Sequence, residues 1–93
     1  MNTNLSLDPV AVAEAIFGAR RAELEKSARD VIGEREYFTA NELEQLTGTR
    51  PSTWRWWASV GQGPESFSLG RRRVWVRRSV IDWLIEQEQG ASS

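Results

Sequence analysis

The sequence predicts a mainly α fold with one small β-hairpin. Three observations predict it. A capped run with helical apolar spacing covers residues 9–32, two short capped segments lie on either side of Gly48, and two alternating segments flank a basic tip at residues 70–73.

The first helix is expected over residues 9–32. Asp8 suits an N-cap, Pro9 is pre-organised for the first helical position, and Leu7 and Val12 are spaced for a hydrophobic staple. Val10, Ala13, Ile16, Phe17, Leu24, Ala28, Val31 and Ile32 recur at helical spacing, and Gly33 supplies the stop. Gly18 sits inside the run, and Arg20 and Ser27 interrupt the stripe, so it makes a poor coiled coil. Three uses fit such a helix: packing on the rest of the domain, self-association, or a partly disordered arm.

Glu34-Arg35-Glu36 reads as a short linker. Thr39 and Glu42 form a capping box, Leu43 and Leu46 give the following helix its apolar face, and Gly48 ends it. Arg50-Pro51 forces an extended residue and then a new start, so the next helix runs from Pro51 to about Val60, before Gly61-Gln62-Gly63-Pro64. Phe67-Ser68-Leu69 and Val74-Trp75-Val76 are the hairpin strands, joined by a four-residue loop at 70–73. Their alternation predicts Phe67, Leu69, Val74 and Val76 facing the core, with Trp75 outward. Ser79, with Asp82 three residues on, is expected to cap a last helix. Its inner stripe is Ile81, Leu84 and Ile85, its stop is Gly90, and Ala91-Ser92-Ser93 follow as a frayed tail.

Composition narrows the function. There is no cysteine, which excludes disulfides and thiolate metal sites, and no histidine, which removes the usual neutral-pH base and zinc ligand. No paired carboxylates, glycine-rich phosphate loop or metal set stands out, so the chain is expected to be no enzyme and to carry no cofactor and no metal. No apolar run approaches the roughly 20 residues of a membrane span, and the start MNTNLSLDPV lacks the basic and apolar regions of a secretory signal. An intracellular, cytoplasmic protein is expected.

Charge is unevenly placed. Residues 1–48 hold five Lys/Arg against nine Asp/Glu, whereas residues 49–93 hold seven against four. Between Thr49 and Arg78 seven arginines face a single acid, Glu65, the footprint that a polyanion requires. Eleven of the twelve cations are arginine, whose planar fork suits phosphates and guanine edges, although a GC-rich genome would favour Arg codons as well.

Two short helices across a tight turn, followed by an Arg-tipped hairpin, have the layout of a winged helix-turn-helix. The domain reading is a helical extension over residues 1–36, the winged helix-turn-helix over 37–90, and a tail over 91–93. The second helix is expected in the major groove of double-stranded DNA, presenting Ser52, Thr53, Arg55, Trp56 and Ser59. Arg71, Arg72 and Arg73 are expected on backbone phosphates or in the minor groove, the alternative being a solvated tip. Arg77 and Arg78 either contact phosphate or cap the sheet edge. Trp54 and Trp57 fall on the core face of their helix, and Trp56 on the opposite face, for groove or protein contact. Trp75 and Trp83 are expected to be exposed and to serve a partner.

These residues also carry a resemblance. Tyr37-Phe38-Thr39-Ala40-Asn41-Glu42-Leu43, Gly48, Arg50 to Trp57, Leu69-Gly70-Arg71-Arg72-Arg73-Val74 and Arg77-Arg78-Ser79 resemble, in order and at compatible spacing, the excisionase and AlpA-like group of small MerR-like winged-helix proteins. The match covers residues 37 to 87. It departs where Arg50 replaces a capping Ser, Trp56 replaces an Arg that often reads bases, and Val80 replaces an acid. The resemblance implies a phage excisionase, nucleoid-associated in a bacterial host. Such proteins bind arrayed sites beside attachment DNA, bend it, and direct a separate integrase toward excision. A phage or prophage transcription regulator of the same fold is the alternative within the class, and a protein-interaction adaptor the alternative outside it. The acidic first half and basic second half predict a cooperative, head-to-tail row of copies on DNA, with Trp75 or Trp83 at the centre of each contact.

Overall fold

The computed structural model describes residues 8–91. The first helix, α1 (Pro9–Ile32), begins as its capping residues dictate: the Asp8 carboxylate accepts from the Val10 amide at 3.0 Å. Gly33 closes it, its N–H donating to the Arg29 carbonyl at 2.8 Å. Leu7, the expected staple partner of Val12, lies outside the described residues, as do Ser92 and Ser93 of the expected tail.

After α1 come β1 (Tyr37–Phe38), α2 (Ala40–Thr47), α3 (Pro51–Ser59), β2 (Ser66–Leu69), β3 (Arg72–Val76) and α4 (Arg77–Ala91). The molecule is mainly helical, with a three-stranded antiparallel sheet in the order β1-β3-β2. The sheet corrects the hairpin reading in three ways. A third strand, β1, pairs Tyr37 with Val76 and Phe38 with Trp75. The loop is two residues, Gly70-Arg71, because Leu69 pairs with Arg72, so Arg72 and Arg73 belong to a strand. Gly70 takes the left-handed φ of 67° that glycine favours at the first position of such a tight loop.

The third correction concerns the faces. The alternation holds, but Trp75 points inward with Phe38, and both are fully buried. Phe67 and Leu69 lie on the opposite face and are exposed. On that outer face Val74 is nonetheless buried, and Tyr37 meets Phe67 edge to face at 5.2 Å. An apolar outer face, rather than a polar one, is why alternation alone assigned the wrong side.

The core joins every helix to the sheet. It contains Leu24, Ala28 and Ile32 of α1, Phe38, Leu43, Trp54, Trp75, and Val80, Ile81 and Ile85 of α4. Trp54 lies at its centre, with ring centroids 5.2 Å from Trp57, 5.5 Å from Trp83 and 6.4 Å from Trp75. Trp83 is therefore a half-buried packing residue, not an exposed one; the Trp57 and Trp83 rings meet at a 52° tilt with centroids 5.4 Å apart. Trp75 is thus removed from any neighbour contact, and Trp83 is half-buried against the core.

Helix α4 also starts and stops differently from the expectation. It begins at Arg77 straight out of β3, so Ser79 lies within its first turn and its hydroxyl bonds Glu65 at 3.3 Å instead of capping. Asp82 is drawn to Arg21 of α1 at 2.7 Å. At the other end the helix runs through Gly90 to Ala91, since one glycine near a terminus costs only about 1 kcal/mol.

Candidate nucleic-acid interface

The amino end of α2 is closed by a complete capping box. Thr39 Oγ1 accepts from the Glu42 amide at 3.3 Å, and the Thr39 amide donates to Glu42 Oε1 at 2.9 Å, completing the capping box. Arg35 donates to the same carboxylate. Partial burial pushes the Glu42 carboxyl up, but the hydrogen bonds from Arg35 and Thr39 outweigh it and hold the group below its ordinary value. Glu42 is thereby committed to the scaffold.

The chain then turns sharply. Gly48, at φ 80°, donates its N–H to the Glu44 carbonyl at 2.7 Å, and only Gly48-Thr49-Arg50 separate α2 from α3. Arg50 occupies the N-cap of α3 without a side-chain cap bond, and Pro51 opens the helix. Buried Leu43 and Trp54 hold the two helices together. With Trp54 inward, the rotation of α3 leaves Ser52, Arg55, Trp56 and Ser59 exposed, and Thr53 half-buried. Trp56 is 57% exposed, as the helical phase predicts. The Ser59 hydroxyl donates to the Trp56 carbonyl at 2.7 Å, which ties it to the helix end.

The hairpin tip lies beside α3 and the start of α2. A cleft of about 380 Å³ is lined by Arg71, Arg72 and Arg73 from the hairpin, Arg55 from α3, and Thr39, Ala40 and Asn41 from the start of α2. Four arginines contribute to its wall, and no Asp or Glu does. Arg73 donates to Ser66 Oγ across the hairpin at 2.9 Å, which sets its direction. The start of α2 adds the positive end of a helix dipole. This arrangement suits an anion with several oxygens, such as a phosphodiester.

The expected site residues thus divide. Arg55, Arg71, Arg72 and Arg73 converge. Ser52, Thr53, Trp56 and Ser59 share the exposed side of α3 without lining the cleft. Arg77 is elsewhere: its Nη1 donates to the carbonyls of Gly33 at 2.8 Å and Arg35 at 2.9 Å, binding the end of α1 to the start of α4. It faces a separate hollow of mixed charge with Arg21, Glu25 and Arg78. Sequence reasoning missed Thr39 and Asn41 as cleft residues. The capping box was the available signal, since it marks where the amides of α2 begin.

Among the described residues, no group of three or more His, Cys, Asp or Glu is placed to hold a metal ion. No helix among them is long and apolar enough to cross a membrane. The chain matches no protein-family model, no curated protein and no solved structure.

Proposed function

We propose that this chain is a winged helix-turn-helix DNA-binding protein acting as a phage excisionase. The observation that carries this reading is the acid-free cleft, where Arg55 of α3 meets Arg71, Arg72 and Arg73 of the hairpin beside the start of α2. In this reading α2 and α3 are the helix-turn-helix, and α3 enters the major groove with Ser52, Thr53, Arg55, Trp56 and Ser59 toward the bases. The hairpin is the wing, its arginines gripping backbone phosphates or the flanking minor groove. The chain does no bond chemistry; it shapes DNA for a separate integrase in a bacterial cytoplasm.

One small domain offers few base contacts, so specificity comes from adjacent copies on repeated sites, whose successive deformations add to a bend. The excisionase role rests on the ordered resemblance of residues 37 to 87; the cleft supports DNA binding itself.

Anisotropy titration of a labelled duplex across a salt series tests the binding. Affinity should fall steeply as salt rises, because each phosphate neutralised contributes about 0.9 to the slope of log affinity against log salt. Affinity insensitive to salt would overturn the reading. Footprinting on attachment-site DNA tests the role. Several adjacent protected sites are expected, whereas one isolated palindromic operator would assign a transcription regulator instead.

A further inference from the structure

The length of α1 poses a question that the core does not answer. At about 1.5 Å per residue its 24 residues extend roughly 36 Å. The radius of gyration is 16.0 Å, against about 12 Å for a compact chain of this size, and the longest extent is 59 Å. Only the second half of the helix is covered. Leu24, Ala28 and Ile32 are buried, while Val10 is 65%, Ile16 60% and Phe17 43% exposed. The two halves share an apolar arc: at about 100° per residue, Val10, Ala13, Phe17, Leu24, Ala28 and Val31 fall within roughly 60°, with Ile16 and Ile32 flanking it on opposite sides. The helix is patterned for burial along its whole length and finds partners within the chain for half of it.

Helix α4 runs antiparallel beside α1: its first residue, Arg77, bonds Gly33 at the end of α1, and Glu88 near its own end pairs with Arg20. Near its end the two helices leave an apolar notch of about 410 Å³ lined by Ile16, Phe17 and Ile85 and bounded by the Arg20–Glu88 pair. We propose that this notch and the overhanging turns of α1 are the contact surface for a second copy of the chain, joined by a two-fold axis beside Ile16. The overhang of each copy covers the notch of the other, so two α1–α4 pairs assemble as four helices.

Three features favour a second copy as the occupant. The surface is self-complementary, because the helix that projects also forms the notch, and a two-fold contact requires that one patch meet itself. Residues 9–19 carry one charge, Glu14, and no cation, so nothing there selects an oppositely charged partner or an anionic lipid surface. The size fits a reversible pair. Val10, Ile16 and Phe17 leave roughly 300 Å² of exposed surface per copy, a small patch that suits a weak, concentration-dependent pair. The other exposed apolar region, the outer sheet face, is already partly closed over Val74 and bordered by Glu34, Arg35 and Arg72.

The pairing rests on α1 and α4 alone, replaces the head-to-tail contact expected from the sequence with a two-fold one, and is tested without DNA. Sedimentation equilibrium should show the apparent mass rising with protein concentration from one chain, 10.6 kDa, toward twice that value. Ile16→Asp should hold it at one chain, and Val10→Asp should weaken pairing, with thermal melts that show both variants folded. The chain contains no cysteine, so Ile16→Cys introduces one thiol. Under oxidation it should form a disulfide-linked dimer, as expected beside a two-fold axis. Single-chain mass at every concentration would overturn the proposal and leave the face to a different protein. Cross-linking of Ile16→Cys to Leu69→Cys, in preference to itself, would replace the two-fold pair with a head-to-tail contact onto the sheet.

Discussion

Two sets of arginines occupy opposite parts of this molecule under different conditions. On the α1–α4 side three have acceptors within the chain: Arg20 grips Glu88 through two nitrogens, at 2.9 and 2.7 Å, Arg21 pairs with Asp82, and Arg77 donates to two carbonyls. In the cleft, Arg55, Arg71, Arg72 and Arg73 enter no ion pair with an acid among the described residues. A guanidinium has five donors, and gathering four such groups beside a helix N-terminus is unfavourable unless an anion joins them. The first set fastens helices together; the second is available to something outside the chain. The sequence conceals this division, since Arg77 lies only four residues from Arg73.

Breaking the cleft set should have the largest effect. Replacing Arg71, Arg72 and Arg73 together by Ala should weaken binding to every DNA sequence and lower the slope of log affinity against log salt by up to about 2.7, at 0.9 for each phosphate no longer neutralised. Stability should fall by only about 1 kcal/mol, from the lost Arg73–Ser66 hydrogen bond, because Arg71 and Arg72 are exposed. An unchanged slope would remove the hairpin from the interface. Arg55→Ala, one position from the buried Trp54, should lower affinity by a smaller step and relax sequence preference, again with little change in stability.

Arg77→Ala sharpens the comparison from the other side. Its two bonds to carbonyls at the end of α1 predict a loss of about 1 kcal/mol in stability, read by denaturant unfolding, with the salt slope of DNA binding unchanged. A drop in slope with intact stability would move Arg77 into the binding set.

The sequence disclosed what local chemistry decides. Asp8, Pro9 and Gly33 bounded α1, and Thr39, Glu42 and Gly48 bounded α2, because caps act over three or four residues. The helical phase of α3 was legible for the same reason, so Trp54 and Trp56 fell on the correct sides. What failed depended on tertiary context. Strand β1 has only two residues, too few for a period, and exists through its pairing with β3. Alternation fixed the phase of β2 and β3 but not which face meets the helices, so Trp75 was misplaced. Ser79 had the chemistry of a cap but lost that role when α4 began directly after β3. In the site, clustered arginines pointed to the hairpin, whereas the meeting of Arg55 with the start of α2 needed the fold.

The smallest expected effect concerns the carboxylates that tie up the first set. Glu88 is held below its ordinary value of 4.5 by its hydrogen bonds from Arg20, and Glu42 by those from Arg35 and Thr39 after burial has pushed it the other way. For both groups the folded value is lower than the unfolded one, so their contribution to stability is present at neutral pH and disappears as pH falls from about 4.5 through the folded value. The two should differ in size. The side chain of Glu42 is 17% exposed and belongs to a capping box, so Glu42→Gln, which keeps a cap of the same shape but loses the charge, should cost about 0.5–1 kcal/mol at pH 7. Glu88 and Arg20 are each 42% exposed, and solvent and salt screen such a pair, so Glu88→Gln should cost less than about 0.5 kcal/mol. Denaturant unfolding of the wild type and both variants at pH 7 and pH 3 measures these terms. The differences should shrink at pH 3, where the wild-type carboxylates gain protons, and added salt at pH 7 should reduce the Glu88 term more than the Glu42 term. If the Glu88 term proved the larger and persisted in salt, the α1–α4 pairing would have to be shielded from water. That result would point to the second copy covering the notch that the Arg20–Glu88 pair borders.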